Sequence, residues 1–235
     1  MEQYMTIPFP SGKAAVYISL APLGDMGSNR EPVKENRRAF FNATGLKDEA
    51  QYPRVLEIVH SHTIYDADEL SEGLLPGDGI ISRKGIPLGT TVADCVPIFL
   101  LDTRTGVTGA FHSGWKGTGI AAEGVCRMVQ EYGCHPQDIE AVIGPAIGGC
   151  CYDVDKERYE YFLETFGPAG LKKSENIYSL DLKLINYNIL SKLNLKNIVV
   201  SDVCTCCDTR FFSFRRAMAE GTHFSRMLAY IRKLE

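Results

Sequence analysis

The chain contains 235 residues, of which 45% are hydrophobic and 23% are charged. This composition is typical of a globular protein and excludes intrinsic disorder and fibrous repeats. The net charge of −4 gives no global basic field, so we expect neither a nucleic-acid partner nor a membrane partner. The sequence shows no secretory signal pattern and no stretch of about 18 or more apolar residues, which predicts a cytoplasmic location.

The first half of the chain is predicted to contain mostly strands. A helix is expected from Glu31-Pro32 to about Thr44, because acidic residues lie near its start and Gly45 can end it. The turn signal Thr105-Gly106 predicts that the two strands around it pair as a hairpin. The strands of this half are predicted at residues 14–20, 54–62, 79–82, 96–101 and 107–112.

The second half is predicted to mix helices with strands. We expect helices at residues 118–132, 155–166 and 181–193, and strands at 139–143, 198–201, 211–214 and 227–231. Strands outnumber helices, and no repeat or linker divides the chain. The sequence therefore predicts one α+β domain over residues 1–235, with mixed β-sheets flanked by helices in an α/β/β/α layering.

Eight cysteines are present, at positions 95, 126, 134, 150, 151, 204, 206 and 207. In a reducing compartment they are expected to be mostly free thiols. The groups Cys150-Cys151 and Cys204–Cys207 suggest a second metal site or a redox switch. Because adjacent cysteines are poorly disposed to chelate one zinc ion together, we favour incidental or packing thiols at these positions.

Polar residues at the ends of the predicted hairpin form the main candidate site. Cys95 enters one strand and His112 leaves the other, so both are expected at the same end of the sheet. They are either a buried cysteine with a strand-capping histidine, or a reactive pair. With His62 they would make a three-ligand zinc site that leaves a fourth position for water or substrate. His60 would share a strand face with His62, and Asp94 could orient a histidine or cap a turn.

The motifs VHSH, TTVADCVPIFLLD, GAFHSGWKGTG, IGPAIGGCCYDV and FFSFRR, in this order, resemble the YfiH-type laccase-domain family over nearly the whole chain. The resemblance implies a metal-binding purine nucleoside phosphorylase, with adenosine deamination and methylthioadenosine phosphorolysis as further activities. Older labels call the family multicopper polyphenol oxidases. The resemblance implies zinc, with copper as the alternative, held by His62, Cys95 and His112, with His60 as the alternative to His62. Cys95, His112 and Asp94 are the implied catalytic residues.

The resemblance also implies a purine nucleoside and inorganic phosphate as partners. The oligomeric state is left open between a monomer and a small homo-oligomer. Arginine suits phosphate because its fork of donors matches the phosphate oxygens. Arg215, Arg216 and Arg226 are the candidates by position. On a strand, Arg215 and Arg216 would point to opposite faces. Lys116 lies where a glycine-rich turn enters a helix, which is a position that favours anions.

Three classes of enzyme and one non-catalytic alternative remain open from the sequence. The first is the zinc-dependent phosphorylase. The second is a copper oxidase. Five histidines are too few for its several copper centres, because each oxygen-activating copper needs further imidazole ligands. The third is a cysteine hydrolase with Cys95 as nucleophile and His112 as base. Metal content separates the first class from the third, and a non-catalytic binding protein is a fourth alternative.

Overall fold

The computed structural model of the chain describes residues 2–27, 32–70 and 74–234, and fourteen strands and five α-helices lie within them. None of these helices is long and apolar enough to cross a membrane. The strands are β1 (Tyr4–Pro8), β2 (Ala14–Ser19), β3 (Arg54–Val55), β4 (Ile64–Asp66), β5 (Gly79–Ser82), β6 (Leu88–Val92), β7 (Val96–Asp102), β8 (Thr108–Ser113), β9 (Ile139–Ile143), β10 (Asp153–Val154), β11 (Leu171–Ser174), β12 (Ile177–Leu180), β13 (Asn197–Val200) and β14 (Met227–Lys233). The helices are α1 (Val33–Ala43), α2 (Ile120–Tyr132), α3 (Lys156–Phe166), α4 (Leu182–Ser191) and α5 (Phe214–Glu220).

The strands form two large sheets and one small sheet. The five-stranded sheet has the order β1-β2-β14-β6-β3, and the six-stranded sheet has the order β13-β9-β7-β8-β5-β4. The small sheet has the order β10-β12-β11. Parallel pairs (β3 with β6, β4 with β5, β13 with β9) accompany antiparallel ones, so the sheets are mixed, as predicted.

The two large sheets pack face to face, and helices cover their outer faces. Successive side chains of β7 point alternately into the two apolar clusters on either side of the six-stranded sheet. Ile98 and Leu100 pack in the cluster that contains the buried faces of α2 and α4, whereas Phe99 and Leu101 pack in the cluster between the sheets. Because both faces of β7 are buried, its sequence is a continuous apolar run. On the far side, α1 packs against the five-stranded sheet. The α+β class and the α/β/β/α order are therefore confirmed.

The predicted hairpin is confirmed. β7 and β8 are antiparallel, with Pro97 opposite His112 and Val96 opposite Ser113. Cys95, directly before β7, therefore lies at the same end of the sheet as His112. Backbone hydrogen bonds also join this end to the next strand, because the His112 N–H donates to the carbonyl of Asp78 at 2.7 Å.

Two predicted strands are wrong, and both lie near the site. The strand predicted at residues 54–62 ends at Val55, and further along the chain His60 has a φ of 60°. That left-handed conformation is incompatible with an extended strand. The strand predicted at residues 211–214 is replaced by α5, because the Ser213 side chain accepts the N–H of Arg216 and begins a helix there. Of the predicted start of the first helix, Glu31 lies outside the described residues, and α1 begins at Val33, directly after Pro32.

Candidate metal centre and cavity

Three side chains from different parts of the chain converge at one end of the six-stranded sheet. They are Cys95 before β7, His112 on β8 and His60 in the segment between β3 and β4. One ligand atom from each lies within 4.8 Å of the other two. The register of the β7–β8 hairpin sets the positions of Cys95 and His112. The turn of the backbone at His60 places its imidazole beside them. Two imidazoles and one thiol are a donor set that zinc accepts.

A buried carboxylate, Asp78, holds the two histidines in place. Its Oδ1 faces Nδ1 of His112 at 2.9 Å and accepts the backbone N–H of His60 at 3.0 Å. Its Oδ2 accepts the N–H and the hydroxyl of Ser61. A carboxylate on one ring nitrogen of a histidine orients the other nitrogen toward a metal. The sequence suggested Asp94 for this role, with the capping of a turn as the alternative, and indicated only a turn at Pro76-Gly77-Asp78. The contact of Asp78 with the histidines was therefore not predicted.

The three ionisable groups perturb one another strongly. Burial raises the pKa of the Cys95 thiol, but the charge of His112 and hydrogen bonds from His112 and His60 outweigh it and hold the pKa at about 6. Burial lowers the pKa of His112, but the Cys95 charge and the hydrogen bond to Asp78 outweigh it and raise the pKa to about 9. Burial opposes ionisation of Asp78, yet its hydrogen bonds hold its pKa at about 2. At neutral pH Cys95 is therefore a thiolate, the form that binds metals and attacks electrophiles.

His62, the sequence-predicted metal ligand, is not part of this group. Its Nδ1 pairs with Glu123 and its Nε2 lies 3.0 Å from the carbonyl of Lys116. His60 and His62 do not share a strand face, because no strand runs through residues 60–62. The positive φ of His60 turns the chain there, and the two imidazoles separate. The geometric ligand set is therefore His60, Cys95 and His112.

Gly114 leaves the space that this group needs. A Cβ at this position would lie 3.1 Å from Sγ of Cys95 and 3.3 Å from Cδ2 of His60. Both distances are shorter than most van der Waals contacts of a methyl group, so any side chain would displace the ligands. The glycine of the HSGWKG motif therefore allows the side chains of Cys95 and His60 to approach the backbone closely, in addition to beginning a turn.

The side chains of His60, Cys95 and His112 line a cavity of about 400 Å³. This volume is within the range of small-molecule sites. The walls come from both large sheets and from the helical layer, since Thr91 lies on β6 and Leu182 begins α4. Four aromatic side chains contribute to the lining: Trp115, Tyr152, Phe214 and Phe224.

Three guanidinium groups also line this cavity: Arg158, Arg215 and Arg226. Arg158 on α3 lies over the Trp115 ring, with 4.5 Å from Cζ to the centroid. Arg215 donates to the carbonyls of Cys151 and Asp153 at 3.0 and 2.9 Å, so the loop after β9 fixes its orientation. Arg158 was not predicted, because nothing in the amphipathic sequence of α3 distinguishes it from a surface arginine.

Arg226 is fixed by both its backbone and its side chain. Its N–H donates to Asp25 Oδ1 at 2.8 Å, and its Nη1 donates to the carbonyl of Gly27 at 3.1 Å. The guanidinium also lies over the Phe224 ring, with 5.3 Å from Cζ to the centroid. Two of the four predicted anion-binding residues, Arg215 and Arg226, therefore reach the cavity.

The other two predicted anion-binding residues lie elsewhere. The Arg216 guanidinium donates to the carbonyls of Thr205, Cys206 and Phe211 and does not line the cavity. Lys116 is exposed, with Nζ over the Trp115 ring at 5.4 Å, and is also absent from the lining.

Asp94 lines the cavity but touches neither histidine through its described hydrogen bonds. Its Oδ1 accepts the hydroxyl of Thr205 at 2.6 Å. Its Oδ2 accepts the hydroxyl of Ser213 at 2.9 Å and the N–H of Arg215 at 2.7 Å. The carboxylate therefore positions the start of α5, and with it Arg215, relative to Cys95.

The comparisons with known proteins agree with this fold. The sequence pattern of the family described as multi-copper polyphenol oxidoreductase laccase matches residues 12–233. The chain therefore belongs to this laccase-domain family, as its motifs predicted.

Named relatives give a more specific picture than the family description. The chain is 33% identical to a purine nucleoside phosphorylase of Clostridium acetobutylicum, over 99% of this chain and 98% of that protein. It is similar in structure to crystalline YlmD from Geobacillus stearothermophilus, with a TM-score of 0.87 and 30% identity, covering 100% of this chain and 97% of that one. It is also 33% identical to the adenosine deaminase RL5 of an unknown prokaryotic organism, over 69% of this chain and 66% of that protein.

Proposed function

We propose that this chain is a zinc-dependent purine nucleoside phosphorylase. It would cleave adenosine, inosine or methylthioadenosine with inorganic phosphate into the free base and a pentose 1-phosphate. One observation carries the proposal: a single cavity combines a His60–Cys95–His112 donor set, aromatic walls and three guanidinium groups. The name of the Clostridium acetobutylicum relative, which matches nearly the whole chain, supports the same reaction class.

The donor set fits a catalytic zinc better than a structural one. Catalytic zinc sites use three protein ligands and leave one position open, whereas structural sites use four. Here three ligands border an open cavity, and Asp78 supplies the outer carboxylate that such sites use. Bound zinc would supply Lewis acidity toward the substrate and, with a water molecule, a hydroxide at neutral pH. Copper is the alternative metal, because it also accepts two imidazoles and a thiolate.

The guanidinium groups suit the phosphate. In phosphorolysis a phosphate oxygen bonds to the anomeric carbon while the bond from that carbon to the purine nitrogen breaks. The phosphate must therefore be held beside the sugar with its charge partly neutralised. Arg158, Arg215 and Arg226 are placed to do this, and the two carbonyl contacts of Arg215 use only two of its five N–H donors. Arg216 and Lys116 are left out of the proposal because they do not line the cavity.

The aromatic side chains suit the base. A purine is planar and apolar on both faces, so rings such as Trp115 and Phe214 can stack on it while the cavity excludes water. Adenosine deamination is proposed as a second activity of the same cavity. Its support is the similarity to the protein named adenosine deaminase RL5.

The test combines an assay with metal analysis. Purified protein is incubated with adenosine, inosine or methylthioadenosine, with and without phosphate, and the products are separated by chromatography. We expect base and pentose 1-phosphate only when phosphate is present. Cys95→Ala is expected to stay folded, lose activity and carry one zinc equivalent less than the parent. Full activity in metal-free protein would exclude the zinc mechanism, and phosphate-independent release of base would indicate a hydrolase.

The cysteine hydrolase is the second candidate, because Cys95 and His112 form a thiolate–imidazolium pair. A metal on Cys95 would block that role. Zinc added to chelator-treated protein separates the two functions. It is expected to restore a phosphorylase and to inhibit a cysteine hydrolase.

A further inference from the structure

A second cluster of thiols lies outside the cavity. The Sγ atoms of Cys150, Cys151, Cys204 and Cys207 all lie within 4.8 Å of one another. The first two come from the loop between β9 and β10, and the other two from the segment between β13 and α5. All four are free cysteines. The two loops are more than 50 residues apart in sequence, so four cysteines without a shared role are not expected to meet there.

The spacing of these sulfurs suits tetrahedral coordination. Zinc–sulfur bonds are about 2.3 Å, which places tetrahedral sulfurs about 3.8 Å apart. Sγ of Cys207 lies 3.7 Å from that of Cys150 and 3.3 Å from that of Cys151. Cys204 and Cys207 also have the Cys-x-x-Cys spacing of many zinc sites, which the adjacent-cysteine argument overlooked. The N–H of Gly148 donates to Sγ of Cys204 at 3.2 Å, a contact that supports a sulfur carrying negative charge.

We propose that Cys150, Cys151, Cys204 and Cys207 bind a structural zinc ion. Four thiolates form a soft donor set that favours zinc over magnesium or calcium. The four cysteines leave no coordination position for substrate, so this site would not be catalytic.

The ion would join the two loops that shape one wall of the cavity. The loops already touch through a backbone bridge between Ala146 and Cys204 and through the Thr205 N–H, which donates to the carbonyl of Ala146. The carbonyl of Cys151 accepts from Arg215, and its neighbour Tyr152 lines the cavity. A zinc ion at the four sulfurs would therefore fix the loop that orients Arg215.

The test is zinc stoichiometry in the full chain, purified with a thiol reductant and supplied with zinc. The parent is expected to hold two equivalents. Cys207→Ser and Cys151→Ser are each expected to hold one, and Cys95→Ala should also hold one. Cys206→Ser is the matched control, because Cys206 lies in the same loop but outside the group, and it should hold two. The double variant Cys95→Ala/Cys207→Ser should hold none.

A second measurement does not depend on the folding of a variant. Parent protein is alkylated with and without a chelator, and modified cysteines are mapped by peptide mass spectrometry. Cys150 and Cys207 are exposed, so they should react quickly only after chelation. Equal reaction with and without chelator would overturn the proposal. So would an unchanged zinc content in Cys207→Ser, or an intact mass showing a disulfide in place of the metal. Because zinc remaining in Cys95→Ala reports this site alone, failure here is distinguishable from failure of the proposed function.

Discussion

The two histidines of the VHSH motif, only two positions apart, have different environments. His60 lies beside Cys95 and His112, with its backbone N–H held by Asp78. His62 is partly exposed and pairs with Glu123. The left-handed φ of His60 separates them. Non-glycine residues in that region are uncommon and cluster at functional sites, so the strained backbone itself points to His60.

Asparagine substitution distinguishes the two histidines, because asparagine tolerates the left-handed backbone. His60→Asn is expected to lose the zinc of the cavity and to reduce phosphorolysis at least 100-fold, since only two ligands would remain. His62→Asn is expected to keep both zinc and activity within about twofold. Zinc content and kcat/KM for adenosine measure both effects. The reverse pattern would restore His62 as the ligand.

Substitution of Arg158 tests whether phosphate binds in the cavity. A charge-assisted hydrogen bond contributes about 1.5–3 kcal/mol, which corresponds to roughly 10–100-fold in affinity. Arg158→Ala is therefore expected to raise KM for phosphate about 10–100-fold while zinc content stays unchanged. Lys116→Ala, which also removes a cation beside Trp115, serves as the control and should change KM less than about threefold. Initial rates at varied phosphate concentration measure both. Equal effects would place the phosphate outside the cavity.

At the scale of elements, Asp94 links the start of β7 to the start of α5. It has a φ of 78° and is buried, and it accepts from Thr205, Ser213 and the N–H of Arg215. One carboxylate therefore sets the position of Cys95, a proposed metal ligand, relative to Arg215, a proposed phosphate-binding residue. This role requires a short side chain that accepts several hydrogen bonds at once.

Asp94→Ala should leave buried hydroxyl donors without an acceptor, at about 1–3 kcal/mol for each. We expect a loss of at least about 2 kcal/mol in the free energy of unfolding and an increased KM for phosphate, because α5 would shift. Asp48→Ala, which removes an exposed cap, should cost less than about 1 kcal/mol. Urea unfolding of both variants measures the difference. A stable Asp94→Ala protein with unchanged KM would contradict the linking role.

Elements buried on both faces were predictable, because their sequences are continuous apolar runs with turn residues between them. The β7–β8 hairpin is such a case, and it correctly placed Cys95 and His112 together. Elements fixed by tertiary contacts were not predictable. The turn at His60 depends on Asp78, which is distant in sequence, and α5 depends on Asp94. The sequence therefore predicted the ligands on the hairpin and missed the groups that hold them.

At the scale of the whole molecule, the cavity lies where three layers meet. Thr91 belongs to the five-stranded sheet, His112 belongs to the six-stranded sheet with Cys95 directly before its strand β7, and Arg158 belongs to the helical layer. The apolar cluster that packs the two sheets together does not contain His60 or His112, and Cys95 packs against it as a partly buried side chain. Loss of the metal should therefore remove activity without unfolding the layers.

The number of histidines available as copper ligands bears on the oxidase activity that the family description names. All five histidines lie in described parts of the chain, and only His60 and His112 share a metal-ligand group there. His62 pairs with Glu123, and His223 stacks on Phe224. The second ligand group contains only cysteines. Reduction of oxygen to water needs several electrons, so one copper centre with two imidazoles lacks the partner coppers that a multicopper oxidase uses.

Copper-loaded protein is therefore expected to oxidise phenols no faster than the same concentration of free copper, when oxygen uptake is followed with an electrode. The zinc-loaded protein, assayed in parallel, should show phosphate-dependent cleavage of adenosine. Cys95→Ala is the control for both, because it removes the thiolate that either metal requires. Oxygen uptake that depends on both phenol and Cys95 would favour the oxidase. Cleavage that depends on phosphate, zinc and Cys95 would favour the phosphorylase, because phosphate is a substrate of phosphorolysis.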